Sequence, residues 1–181
     1  IRSFLPEPVP RPDLEQMLEA ARLAPSGGNL QPWHFLVVDD RGRLDELAAL
    51  VRQGVSQPPA NVSRWRDDPQ CALNLLPRLR ASARLLAGAP ALVAVLWRGN
   101  PHNEPVRAAL LAGGMDRAAA DAYLGYVEVQ SVGAAIQNLL LTAHALGYGA
   151  CWMNVPFVAK DALAAALEVR PPWDLLALVA V

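Results

Sequence analysis

The chain has 181 residues, 53% of them hydrophobic and 18% charged, which suits one compact domain, residues 1–181, and leaves too little chain for two independent cores. Lys and Arg number 16 against 17 Asp and Glu, a net charge of -1, and the basic residues are scattered along the sequence, so neither a nucleic-acid nor an anionic-membrane partner is expected. The high apolar share with few charges favours a subunit that covers part of its surface with a second copy.

In chain order, Leu14, Met17, Leu18 and Ala21 recur at helical spacing and predict an amphipathic helix over 13–24. Asp13 is placed to cap it, with Gln16 three residues on, and Pro25 to stop it. Pro25-Ser26-Gly27-Gly28-Asn29 reads as a turn, and Trp33–Val38 as a buried strand ended by Asp39-Asp40-Arg41-Gly42. Leu44, Leu47, Ala48 and Val51 predict a helix over 43–53. Residues 54–70, rich in proline and polar side chains, read as a surface excursion or lid. A helical stretch broken near Pro77 follows, then a buried strand over 91–97 and a loop over 98–105. From 127 to 146 the pattern leaves almost no polar face. A membrane span there would bury Gln130, Gln137, Asn138 and His144 in hydrocarbon, so the expectation is a soluble helix buried on all sides, which in so small a chain calls for a second subunit. An extended segment over 148–154, a short helix over 159–168 and a strand over 175–181 complete the chain. Without a regular βαβ rhythm the class is α+β.

Catalytic constellations are absent from the motifs. Cys71 and Cys151 form no CxxC and read as reduced thiols in a cytoplasmic protein; His34, His102 and His144 have no ligand partners at metal-binding spacing. There is no GxSxG, no phosphate loop of the Walker type and no GxGxxG between a strand and a helix. Gly147-Tyr148-Gly149 reads as a helix C-cap. If the chain is an enzyme, a cofactor must bring the reactivity. The segment Pro25 to Trp33 offers two glycines and short polar side chains. It reads equally as a seat for a polar planar ligand and as an ordinary connection between helix and strand.

The run LAPSGGNLQPWHFLVV, the IRSF and PVP before the first helix, and AAIQNLLLTAHALGYGACWMN together resemble the FMN-dependent nitroreductase family along the whole chain. The resemblance implies a central, mostly antiparallel sheet flanked by helices, and an interlocked homodimer with FMN in clefts at the subunit interface. It implies that Arg2 reaches the pyrimidine edge of the flavin and that Leu23 touches its ring. Pro25, Ser26, Gly27 and Asn29 would approach FMN from the other subunit. Trp152, Met153 and Asn154 would run along the isoalloxazine, although Trp152 reads equally well as an interface anchor. Pro156 has no N–H, so a backbone donor there would be Asn154 or Val155. The family has further phosphate ligands before the position of Ile1 and a partner-wrapping arm beyond that of Val181. The implied reaction is ping-pong: NAD(P)H reduces FMN, and a nitroaromatic, quinone or similar planar acceptor then takes the electrons. Two other readings remain open: a family member that binds flavin without turning over, and a branch that uses oxygen.

Overall fold

The computed structural model describes residues 1–61, 64 and 67–181. Helix α1 (Arg11–Arg22) leads through a 3-10 turn at Gly27–Asn29 into strand β1 (Trp33–Val38). Helices α2 (Arg41–Ser56) and α3 (Pro69–Gly88) precede β2 (Leu92–Trp97). Next come α4 (Asn103–Ala112), the long α5 (Arg117–Ala145), β3 (Cys151–Asn154), a 3-10 turn at Phe157–Ala159, α6 (Lys160–Ala166) and β4 (Asp174–Ala180). The four strands form one antiparallel sheet in the order β1-β2-β4-β3, with Trp33 opposite Trp97, Leu92 opposite Ala180 and Asn154 opposite Ala177. The fold is therefore α+β.

Alternation along the strands makes three layers, because successive side chains leave a sheet on opposite faces. Leu92, Ala94 and Leu96 join Leu44, Leu47, Val51, Leu86 and Leu163 of α2, α3 and α6 on one face. Val93 and Val95 join Met17, Ile136 and Leu139 of α1 and α5 on the other. A register shift between Val95 and Leu96 lets Leu175 and Leu178 of β4 reach the same layer although they stand three apart. Each fully buried leucine or isoleucine contributes about 1.5–3 kcal/mol, so both layers hold the sheet. Between α1 and α5, Asn138 Nδ2 donates to Ala20 O at 3.0 Å. The Tyr148 hydroxyl donates to Asp13 Oδ2, which holds the phenol above its ordinary pKa.

Several elements differ from the periodicity reading. α1 begins at Arg11 with Pro10 in the capping position, and no side chain caps it; Asp13 is occupied by Tyr148 instead. β1 is only partly buried, because it forms one edge of the sheet and has a neighbouring strand on one side alone. The turn expected after it is shorter, since Asp40 accepts from Arg43 N at 2.9 Å and caps α2 already at Arg41. α3 continues through Pro77. Pro77 and Leu73, whose carbonyl loses its amide partner, both face solvent, where water can replace the bond, while Leu79, Ala83 and Leu86 bury the opposite side. The loop expected over 98–105 ends at His102, because Pro105 falls in the first turn of α4, where no backbone N–H is needed. The excursion expected at 54–70 is narrowed by α2 reaching Ser56 and α3 starting at Pro69; residues 62, 63, 65 and 66 of it lie outside the described residues. Gly147 takes φ 90° after α5 and ends it as expected, with Tyr148 N donating to Ala143 O at 2.8 Å. Within one chain α5 buries Val132, Ile136 and Leu139, while Tyr123, Val127, Val129 and Leu141 stay exposed, so burial on all sides is not met by a single copy. No helix among the described residues is long and apolar enough to cross a membrane.

Candidate functional site

Arg2 sits against the first residue of β3. Its Nη1 donates to Ile1 O at 2.7 Å and to Cys151 Sγ at 2.9 Å, so the guanidinium is held by a carbonyl and a buried thiol. Gly149 makes this approach possible, since a Cβ there would lie 2.5 Å from Ile1 Cδ1. Beyond Arg2 opens a cleft of about 370 Å³ between α3 and the β3 strand with its exit turn. Arg78 and Ser82, one turn apart on α3, face Cys151–Asn154 and Val155–Phe157 across it, and among the described residues no acidic side chain lines it. Two guanidinium groups without a carboxylate make the cleft a place for an anionic or electron-accepting group. Arg78 was not singled out from sequence; its signal is the i, i+4 pairing with Ser82 on a helix face that looks away from the core.

The three consecutive residues expected to run along a cofactor alternate. Met153 is buried with Leu79 and Leu85 in the α2–α3 layer, so its side chain is core. Trp152, 45% exposed, and Asn154 point the other way. The indole of Trp152 reaches α5, where a Cβ on Gly133 would lie 3.8 Å from its Cη2.

The turn after α1 forms a second wall. Leu23 is 66% exposed, Pro25 and Asn29 are exposed, and Ala24 between them anchors the segment in the core. Gly28, Asn29 and Gln31 all take positive φ, at 58°, 56° and 48°. Ser26 Oγ accepts from Gln31 N at 2.9 Å and Asn29 Oδ1 from Gln31 Nε2 at 3.0 Å. Gly27 N donates to Ser131 Oγ of α5 at 3.2 Å, and a Cβ on Gly27 would lie 2.5 Å from Val127 Cγ1, so a larger residue there would have to displace the Val127 side chain. The turn rests on α5 at Val127 and Ser131, whereas Trp152 meets α5 at Gly133. Residues two apart on a helix project about 200° from each other, so one chain presents the two walls on different sides of α5. A wider groove of about 620 Å³ runs along the outer edge of β1 and the 166–173 turn, and none of the sequence-derived site residues lines it. The three histidines stand apart: His34 against the Trp173 ring, His102 before α4, and His144 exposed at the end of α5.

The family model for nitroreductases matches residues 1–181. The chain belongs to that family. Among solved structures it is similar to a BluB-like flavoprotein from Clostridium difficile 630, with TM-score 0.78 and 27% identity over 99% of this chain and 83% of the other. It is also similar to a nitroreductase-type protein from Desulfovibrio desulfuricans solved in complex with FMN, with TM-score 0.63 and 27% identity over 99% and 77%. The 5,6-dimethylbenzimidazole synthase of Rhodospirillum rubrum is 29% identical over 177 residues, 98% of this chain and 74% of the synthase. Relatives with higher identity, 41% and 36%, align over 36% and 27% of their own lengths.

Proposed function

We propose that the protein is an FMN-dependent oxidoreductase that takes electrons from NAD(P)H and delivers them to nitroaromatics, quinones or similar planar acceptors. It would work as a homodimer in the cytoplasm, where its two free cysteines stay reduced. The observation that carries this reading is the separation of the two walls. Trp152 at the edge of the Arg2 and Asn154 cleft and the turn of Leu23, Pro25, Ser26, Gly27 and Asn29 lie against different sides of α5, and a second copy laid on the exposed Val127 and Leu141, which share one face of that helix, would bring one chain's turn to the other's cleft.

The residues present fit the cofactor. The cleft has two guanidinium groups and no carboxylate among the described residues, an exposed indole at its edge, and an opposing turn whose glycines allow close backbone approach. When bound, FMN supplies two-electron chemistry between a nicotinamide donor and a planar acceptor. Arg2, held by Ile1 O and Cys151 Sγ, would supply positive charge toward the cofactor, and so would favour the reduced state and raise the potential. Trp152 excludes water from one side. The N–H of Asn154 or Val155 is the available backbone donor, because Pro156 has none. Met153 contributes packing beneath the cleft.

The visible spectrum of purified protein and its response to anaerobic NAD(P)H test this. A flavin band that bleaches supports the reading; a bound flavin that stays oxidised would leave a flavin-binding protein without turnover. A second reading, oxygen-dependent conversion of the flavin itself, is favoured by the higher structural likeness to the BluB-like flavoprotein and by the match to the synthase over 98% of this chain and 74% of the synthase. Loss of flavin with appearance of 5,6-dimethylbenzimidazole, when reduced protein meets air, would select it.

A further inference from the structure

The Ser26–Gln31 turn holds left-handed backbone at two residues that have a Cβ, Asn29 and Gln31, a conformation that persists only where the surroundings fix it. Two of its hydrogen bonds, from Gln31 N to Ser26 Oγ and from Gln31 Nε2 to Asn29 Oδ1, are internal to the turn and cannot orient it on the protein. The bond that ties its tip to the body runs from Gly27 N to Ser131 Oγ at 3.2 Å. Ser131 is buried, and its hydroxyl proton is directed at Val127 O, one turn back on α5, at 2.8 Å, so the oxygen is left free to accept from Gly27. A hydroxyl that donates to its own helix and accepts from a neighbouring segment has both roles fixed and little freedom to rotate.

We infer that Ser131 is a positioning residue, which sets the Ser26–Asn29 turn on α5 in its ligand-ready shape before any ligand arrives. The role rests on the FMN reading above only for its consequence in binding; the hydrogen bond itself does not depend on that reading. Without the hydroxyl, the Gly27 N–H loses its acceptor and the strained turn has one restraint fewer. If the competent shape then falls to about a tenth of the population, the apparent FMN dissociation constant rises about tenfold.

The test compares the parent protein with Ser131→Ala and Ser131→Thr, the second keeping a hydroxyl able to make both bonds. In cofactor-free protein, amide hydrogen exchange over Gly27–Gln31 should accelerate in Ser131→Ala, while the strands keep parental protection, and should recover in Ser131→Thr. FMN titration by flavin fluorescence should show the weakening in Ser131→Ala and its recovery in Ser131→Thr, with the visible circular dichroism of the saturated proteins alike. Parental exchange at the turn in Ser131→Ala, or parental FMN affinity together with faster exchange, overturns the role. A parent protein that binds no FMN overturns the cofactor reading instead, and the exchange data still decide whether Ser131 fixes the turn.

Discussion

Gly54 lies inside α2, where glycine is about 1 kcal/mol less favourable than alanine, so Gly54→Ala is stabilising on helix propensity alone. The structure reverses that sign. A Cβ at Gly54 would stand 2.3 Å from Val158 O and 2.9 Å from Val158 C, and both are backbone atoms that no rotamer change can move aside. Either α2 or the 3-10 turn at Phe157–Ala159 must retreat by about 1 Å, an overpacking that at a rigid site costs roughly 2–3 kcal/mol, the upper part of the usual range. After the propensity gain, a net loss of about 1–2 kcal/mol remains, and for a chain of this length it lowers Tm by roughly 2–8 °C. The displaced turn begins next to Pro156 and Phe157, which line the cleft, so FMN affinity should fall with stability. Gly88, at the end of α3, has open space where a Cβ would stand, with nothing within 4 Å, and Gly88→Ala should raise Tm slightly. Thermal unfolding of the two variants beside the parent decides the matter: a Gly54→Ala protein as stable as the parent or more so would refute the close-approach argument.

Arg2→Ala should weaken FMN binding and lower the bound flavin's potential by about 30–60 mV, the two-electron equivalent of roughly 1.4–3 kcal/mol; a potentiometric titration matching the parent would remove Arg2 from this role. Leu141, 57% exposed in one chain, should tolerate Leu141→Glu as a folded monomer while losing self-association, whereas Leu139→Glu, at a fully buried position, should unfold the chain. Sedimentation of an intact, folded Leu141→Glu dimer would place the subunit contact elsewhere. The phenol of Tyr148 has its pKa raised from 10.0, first by its hydrogen bond to Asp13 and then by burial. The fold therefore favours the protonated phenol. Its stabilisation is fully present below pH 10.0 and is lost as pH rises through the higher folded value. Denaturant midpoints of the parent and Tyr148→Phe should differ by a constant amount at neutral pH and converge in strong alkali; a gap that persists there would contradict the assigned cause.

Local pattern alone determined a good part of this protein. Trp33–Val38 is a strand with the bounds its β-branched and aromatic residues predict, Gly147 ends α5 as a helix-terminating glycine should, and the Pro25–Asn29 chemistry marks a special turn. These features are set within a few residues, where sequence speaks directly. What only tertiary structure decided depends on partners far away in the chain. Pro77 stays inside α3 because its solvent side can do without the bond, a fact about which face is buried rather than about proline. Gly27 meets Ser131, 104 positions on, and nothing near either residue announces the other. Arg52 of α2 joins Arg80 and Arg84, a pair one turn apart on α3 and 28 positions on, at one hollow of about 400 Å³ between the two helices. Trp152 and Met153 are neighbours in a motif, yet the sheet sends one to α5 and the other into the core. Periodicity tells that a segment has an apolar face; only the packing of that face against another element decides which residues end up side by side.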